Sequence, residues 1–274
     1  MIPAPFDYEV AESADQAVAL LGQHGEDAKL LAGGHSLLPL MRLRLAAPSV
    51  VIDIGRLHEL DYVRENGDTL AVGALTTHDR VNRSELLRQH CPLLAHTAGE
   101  IGDPQVRHRG TIGGSVAHAD PASDIPAVLL ALDAELVVHG PGGDRTVPVS
   151  QFFRGIFESA LGPQDVLTEV RVPKVTGGWS YQKFNPRAQD WAIVGVAAQV
   201  RNGRTAVALT NMGETPVRAG AVEEAVAGGA TPAQAAQQAL DGTSPPDDAL
   251  ASAEYRRHLA MVLTRRALEE AAAR

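Results

Sequence analysis

The sequence predicts an α+β fold in two parts, on three observations. Short β-branched runs alternate with helical stretches through the first two-thirds of the chain. Glycine-bearing turns at Asn66-Gly67-Asp68 and Pro141-Gly142-Gly143-Asp144 separate neighbouring strand candidates as hairpin connections do. After Pro173 the pattern changes to a strand meander followed by helices. The expected division is 1–173, made of two α+β subdomains split near 55–60, and 174–274, a smaller sheet-plus-helices domain.

Ala14–Leu21 reads as a helix and Lys29–Leu31 as a strand. Ser49-Val50-Val51-Ile52-Asp53-Ile54 is short, β-branched and continuous enough for an interior strand, which Gly55-Arg56 ends. Leu70–Val72 and Leu136–His139 are strands, and Thr77–Leu87 and Ile125–Leu132 are helices. Beyond Pro173, Ser180–Phe184, Ile193–Val200 and Thr205–Leu209 form the meander, with Asn202-Gly203 as the tight turn between the last two. Helices follow at Arg218–Val226, Pro232–Leu240 and Ala253–Ala272. The last carries Tyr255, Leu259, Val262, Leu263 and Ala267 on one face at helical spacing, a stripe suited to core or interface packing.

Composition narrows the function. A chain of 274 residues, 45% hydrophobic, can bury a substantial core. Its formal charge of −9 argues against a nonspecific nucleic-acid surface. Cys91 is the single cysteine, so an iron–sulfur cluster or a cysteine-rich zinc site cannot be supplied by this sequence alone. The amino terminus lacks a basic stretch followed by an apolar one, and no run approaches the length of a bilayer span, so a cytoplasmic protein is expected.

Two diglycine segments carry the chemistry. Ala32-Gly33-Gly34-His35-Ser36 and Thr111-Ile112-Gly113-Gly114-Ser115 each follow an apolar run and set side-chain-free peptides beside hydroxyls. Glycine permits positive φ and close backbone approach, so successive N–H groups can converge on an anion without a lysine. One such segment alone is equally an ordinary turn, whereas two with matching chemistry can clamp one diphosphate from both sides. The spacing Gly-x-Gly-x-x-Gly is absent, as is Gly-Lys-Ser/Thr, which removes the Rossmann and Walker alternatives. Asp103, Asp120 and His118 suggest acid–base work less than a satisfied polar loop, because no nucleophile is paired with them. Arg42, Arg44, Arg107 and Arg109 are either a basic rim or solvated faces.

At these residues the sequence resembles the FAD-binding medium subunit of the molybdenum hydroxylases, the carbon monoxide dehydrogenase and xanthine dehydrogenase type. The likeness rests on Ala32-Gly33-Gly34-His35-Ser36-Leu37-Leu38-Pro39 with Met41-Arg42-Leu43-Arg44, and on Arg109-Gly110-Thr111-Ile112-Gly113-Gly114-Ser115-Val116-Ala117 with Asp120-Pro121-Ala122-Ser123-Asp124. It continues through Tyr181-Gln182-Lys183-Phe184-Asn185-Pro186-Arg187 and Ser252-Ala253-Glu254-Tyr255-Arg256-Arg257, nearly the whole chain. The sequence departs from the family's usual spelling at Ser115, where asparagine is common, and at His35, where glutamine also occurs.

The resemblance implies a vanillyl-alcohol-oxidase-like, PCMH-type FAD-binding domain followed by the family's carboxy-terminal domain. It implies FAD held by Leu30, Leu31, Ala32, Gly33, Gly34, His35, Ser36 and Leu37 on one side and by Thr111, Gly113, Gly114 and Ser115 on the other. Asp124 matches an acceptor for a ribityl or ribose hydroxyl, and Ile101, Leu167 and Lys183 match positions near the flavin. From the residues alone, Asp124 could instead be a helix N-cap, Lys183 a solvated strand residue, and Ile101 and Leu167 core residues. The implied function is electron transfer from two 2Fe-2S clusters of a small subunit to an acceptor such as NAD, a quinone or oxygen. The substrate would be oxidised on a large molybdopterin-binding subunit, within a dimer of heterotrimers. A self-sufficient FAD oxidoreductase and a non-catalytic assembly protein of the same fold are the alternatives.

Overall fold

The computed structural model describes residues 2–175 and 177–274. Met1, the start of the amino-terminal stretch read above, and Thr176, in the expected second domain, lie outside the described residues. The first sheet is parallel, in the order β1 (Asp7–Val10), β3 (Val50–Asp53), β2 (Ala28–Leu31). Its middle strand is the continuous β-branched run, and Val50, Val51 and Ile52 are buried as an interior strand requires. Helix α1 (Ala14–His24) covers it with Ala17, Val18 and Leu21, and is started by Ser13, whose hydroxyl accepts from Gln16 N at 3.1 Å.

The second sheet runs β4 (Val63–Asn66), β5 (Thr69–Gly73), β10 (Val166–Pro173), β6 (Glu135–Gly140), β7 (Gly143–Pro148). Both anticipated hairpins join neighbours in it. Its central strand β10 was not anticipated, because Glu169 and Arg171 interrupt its apolar pattern. Glu169 is nonetheless buried, accepting from Tyr62 Oη at 2.6 Å, Arg171 Nε at 2.5 Å and Arg64 Nη2 at 3.2 Å. A small hairpin, β8 (Phe153–Gly155) and β9 (Glu158–Ser159), stands apart.

His139 of β6 ties this sheet to the first, its ring nitrogens lying 2.7 Å from Asp144 Oδ1 and 2.7 Å from Asp15 Oδ1 of α1. The hydrogen bond with Asp144, supported by Asp15, holds its pKa above the usual histidine value against the opposing effect of burial. A histidine raised on folding stabilises fully below its unfolded pKa, about 6.5, and the benefit fades as pH rises through the folded pKa. His139→Gln is therefore expected to melt below wild type at pH ~6 and to converge with it by pH ~8. The difference should stay under about 1 kcal/mol, since the carboxylates are solvated. Melting curves at both pH values decide it, and a gap that widens with pH would contradict the bridge.

The segment expected as one helix over Thr77–Leu87 is two, α3 (His78–Arg83) and α4 (Glu85–His90). Ser84 ends the first and caps the second, accepting from Leu87 N at 3.4 Å. Helices α2 (Leu37–Leu43), α5 (Pro92–Gly99), α6 (Pro104–Arg107) and α7 (Ile112–His118) lie where loops or no elements were anticipated. Each is short, and Pro92 and Pro104 sit in the first turns of α5 and α6, where proline costs no hydrogen bond. Helix α8 (Asp124–Ala131) is buried along its whole length.

The third sheet is an antiparallel meander, β11 (Trp179–Phe184), β12 (Val194–Arg201), β13 (Arg204–Thr210), β14 (Val217–Arg218). Strand alternation splits its faces. Tyr181, Ala197 and Ala208 join the core that contains α8, whereas Val194, Val196, Ala198, Val207 and Leu209 pack with α9 (Gly220–Ala227), α10 (Pro232–Ala235) and α11 (Ala253–Ala273). Arg218 belongs to β14 rather than to a helix, and α10 gives way to a 3-10 turn at Ala236 instead of continuing to Leu240. On α11, Leu259, Leu263 and Ala267 are buried as expected, but Tyr255 is exposed and Val262 only half-buried; Arg256, Ala260 and Thr264 complete the inner stripe. No helix among the described residues is long and apolar enough to cross a membrane.

Candidate functional site: two glycine segments and a buried ion pair

Leu30 and Leu31 end β2, Ala32 to Ser36 form the first segment, and Leu37 opens α2. Gly34 has φ of +78°, a conformation that favours glycine. Gly33 is required for contact: a Cβ there would run into the Arg109 carbonyl and stand 2.9 Å from Gly110 Cα. The first segment thus meets, backbone to backbone, the Arg109-Gly110 peptide that leads into the second. Behind them His78 packs its ring under Gly110, whose Cβ would lie 3.0 Å from His78 Cδ2, and His78 N donates to Gly110 O at 2.9 Å. Burial, reinforced by the nearby His35 and Arg107, lowers the His78 pKa to about 4, so its ring is neutral.

The two segments differ in how their amides are used, so the symmetrical clamp expected from the sequence is not what the backbone presents. Gly113 N donates to Ala74 O at 2.9 Å, Gly114 N to Thr111 Oγ1 at 3.1 Å, and Ser115 N to Thr111 O at 3.0 Å. The second segment is the capped start of α7, with Thr111 as N-cap, and its amides are already taken. Gly113 serves close packing instead, since a Cβ would lie 2.5 Å from Ala74 Cβ. By contrast, the N–H groups of Gly33, Gly34, His35 and Ser36 donate to no protein group among the described residues. A diphosphate suits those donors, and the hydroxyls of Thr111 and Ser115 remain on the other side.

A polar line leads from there to the other sequence-predicted residues. Ser115 Oγ lies 2.7 Å from Ser123 Oγ, and Ser123, not Asp124, is the N-cap position of α8. Asp124 follows in the first turn, buried, and bonds to Lys183 Nζ at 2.8 Å. Lys183 also donates to Glu100 O at 3.2 Å, and its side chain is only 7% exposed, so it is not a solvated strand residue. Burial pushes the Asp124 carboxyl up while the Lys183 ammonium pulls it down. Ile101 adjoins Glu100, and its carbonyl is fixed by Arg107 Nη1 at 2.9 Å. Ile101, Asp124 and Lys183 therefore come together. Leu167, on β10 and paired with Val138, is buried in the same apolar core that Ile101 packs against.

Asp103 caps α6, accepting from Val106 N at 2.9 Å, and Asp120 accepts from Ala122 N at 2.9 Å, so both are the satisfied loop residues expected. Sequence reasoning missed His78, Ser123, the Glu100 carbonyl and Tyr181. For Tyr181 a signal existed, since it lies two residues from Lys183 and hence on the same strand face.

Residues 4–175 match the model of the FAD binding domain in molybdopterin dehydrogenase, and residues 179–271 that of the CO dehydrogenase flavoprotein C-terminal domain. The chain belongs to the FAD-binding medium subunits of the molybdenum hydroxylases. It is 43% identical to the carbon monoxide dehydrogenase medium chain of Hydrogenophaga pseudoflava, covering 100% of this chain and 99% of that one. It is 36% identical to subunit alpha of the 6-hydroxypseudooxynicotine dehydrogenase complex of Paenarthrobacter nicotinovorans, over 99% and 96%. A solved carbon monoxide dehydrogenase from Hydrogenophaga pseudoflava, lacking the Mo-pyranopterin moiety of its cofactor, superposes with a TM-score of 0.97 at 44% identity, covering 100% of this chain and 99% of that one. The medium-subunit fold, a PCMH-type FAD-binding domain followed by the carboxy-terminal domain, and its FAD are thereby established, and the chain is a subunit of an oxidoreductase.

Proposed function

We propose that this medium subunit carries electrons within a heteromeric molybdenum hydroxylase. It takes them from 2Fe-2S clusters of a small subunit and passes them to an external acceptor, beside a large molybdopterin-binding subunit in a dimer of heterotrimers. The observation that carries this reading is the first glycine segment, whose amides have no partner among the described residues and suit a diphosphate, while a polar line from Ser115 of the second segment runs through Ser123 and Asp124 to Lys183. FAD, when bound, supplies the exchange of electrons between one-electron and two-electron partners. The chain's own residues bind and orient it. Gly33 to Ser36 donate to the phosphates, Thr111 and Ser115 offer hydroxyls, and Lys183 holds a positive charge beside the flavin.

The relatives support a carrier. Medium chains from enzymes named for carbon monoxide and for 6-hydroxypseudooxynicotine resemble this one over their full lengths, so the substrate is chosen on another chain. Cys91 is buried and its thiol is pushed up to about 12, which leaves it inert as a nucleophile. The division proposed is an FAD-binding domain at 1–173 and the carboxy-terminal domain at 174–274.

The purified chain alone is expected to oxidise no organic substrate, whereas co-expression with small and large subunits yields a stable complex that does. A cluster-free preparation of this chain with turnover like the complex would refute the assignment.

A further inference from the structure

Lys183 does not stand alone against Asp124. Tyr181, buried at 6% exposure, donates its hydroxyl to Asp124 Oδ1 at 2.5 Å, while Lys183 holds Oδ2 at 2.8 Å. One carboxylate is thus divided between two donors on the same face of β11. Space for the phenol oxygen comes from Gly195 on the neighbouring strand, where a Cβ would stand 2.7 Å from Tyr181 Oη and 3.0 Å from Thr210 Cβ. An ammonium has three donors. Asp124 and Glu100 take two of those on Lys183, and the third meets no protein acceptor among the described residues.

We propose that Tyr181 is a positioning residue for Lys183: by occupying Oδ1 of Asp124 it confines the ammonium to Oδ2 and keeps its third N–H free for the flavin. The inference rests on the reading that Lys183 lies beside the flavin. Without the Tyr181 hydroxyl, Oδ1 loses its donor, and the ammonium turns to bridge both carboxylate oxygens. Its charge then serves Asp124 more and the reduced flavin less. Tyr181 acts only through Lys183, so the two substitutions must not add.

The test is a spectroelectrochemical titration of the FAD-loaded protein, with occupancy matched, for wild type, Lys183→Met, Tyr181→Phe and the double variant. Tyr181→Phe removes one oxygen and keeps the ring, and a circular dichroism spectrum like wild type verifies its fold. The expected result is a lower two-electron potential in Lys183→Met, a smaller shift of the same sign in Tyr181→Phe, and a double variant equal to Lys183→Met. If Lys183→Met lowers the potential but Tyr181→Phe leaves it unchanged, or if the two shifts add, Tyr181 has no positioning role and the placement of Lys183 survives. An unchanged potential in Lys183→Met removes that placement, and the proposal with it.

Discussion

Replacing Gly33 with alanine is expected to weaken FAD binding by about five- to 150-fold. The added methyl meets the carbonyl of Arg109 and the Cα of Gly110, both main-chain atoms that cannot rotate aside. Overpacking of this kind costs about 1–3 kcal/mol, and each 1.4 kcal/mol is a factor of about ten in affinity. Here the strain falls on the junction that aligns the free amides with the second segment. Gly114→Ala provides the contrast, because its methyl would meet only Thr111 Oγ1, at 2.8 Å. Calorimetric titration with FAD should rank wild type above Gly114→Ala and Gly114→Ala above Gly33→Ala. Wild-type affinity in Gly33→Ala would show that the segments need not touch to bind.

Arg256→Ala is expected to destabilise the carboxy-terminal half by about 2–4 kcal/mol, the scale of a large-to-small core change that also orphans a buried carbonyl. Arg256 is fully buried on α11, donating to Ile193 O at 2.5 Å and to Asp248 Oδ2 at 2.7 Å. It thereby fastens the last helix to the start of β12 and to the loop that precedes the helix. Loss of the charge partner contributes less than loss of packing, because the Asp248 side chain is 41% exposed and can return to water. Urea unfolding should show the midpoint fall, and a midpoint within error of wild type would make the buried guanidinium dispensable.

Much of this was legible in the residues, for identifiable reasons. Elements with a strong period or a glycine turn were recovered, such as the interior strand at Val50 and the three glycine-turn hairpins, because their signals are local. Strand β10 was not, since its polar residues are tolerated only through partners distant in sequence, Tyr62 and Arg64 among them. The same limit applied to the site. Glycine pairs mark places where backbone must come close, but whether it approaches a ligand or another strand depends on what lies opposite. For Gly33 and Gly113 the answer was protein backbone and Ala74, and of the two segments the first alone kept its amides open among the described residues. The pairing of Asp124 with Lys183 likewise depends on α8 packing against the third sheet, at β12 and β13, which brings together residues 59 apart in sequence, and no local pattern encodes that.

The open amides of Gly33 to Ser36 are expected to read a diphosphate. Calorimetric titration of the purified wild-type chain with FAD and with FMN tests it most directly, because the two share the flavin and FMN lacks the diphosphate. FAD is expected to bind at least tenfold more tightly, about 1.4 kcal/mol or more. Equal affinities would contradict the account, placing recognition on the flavin ring and leaving the first glycine segment a structural turn.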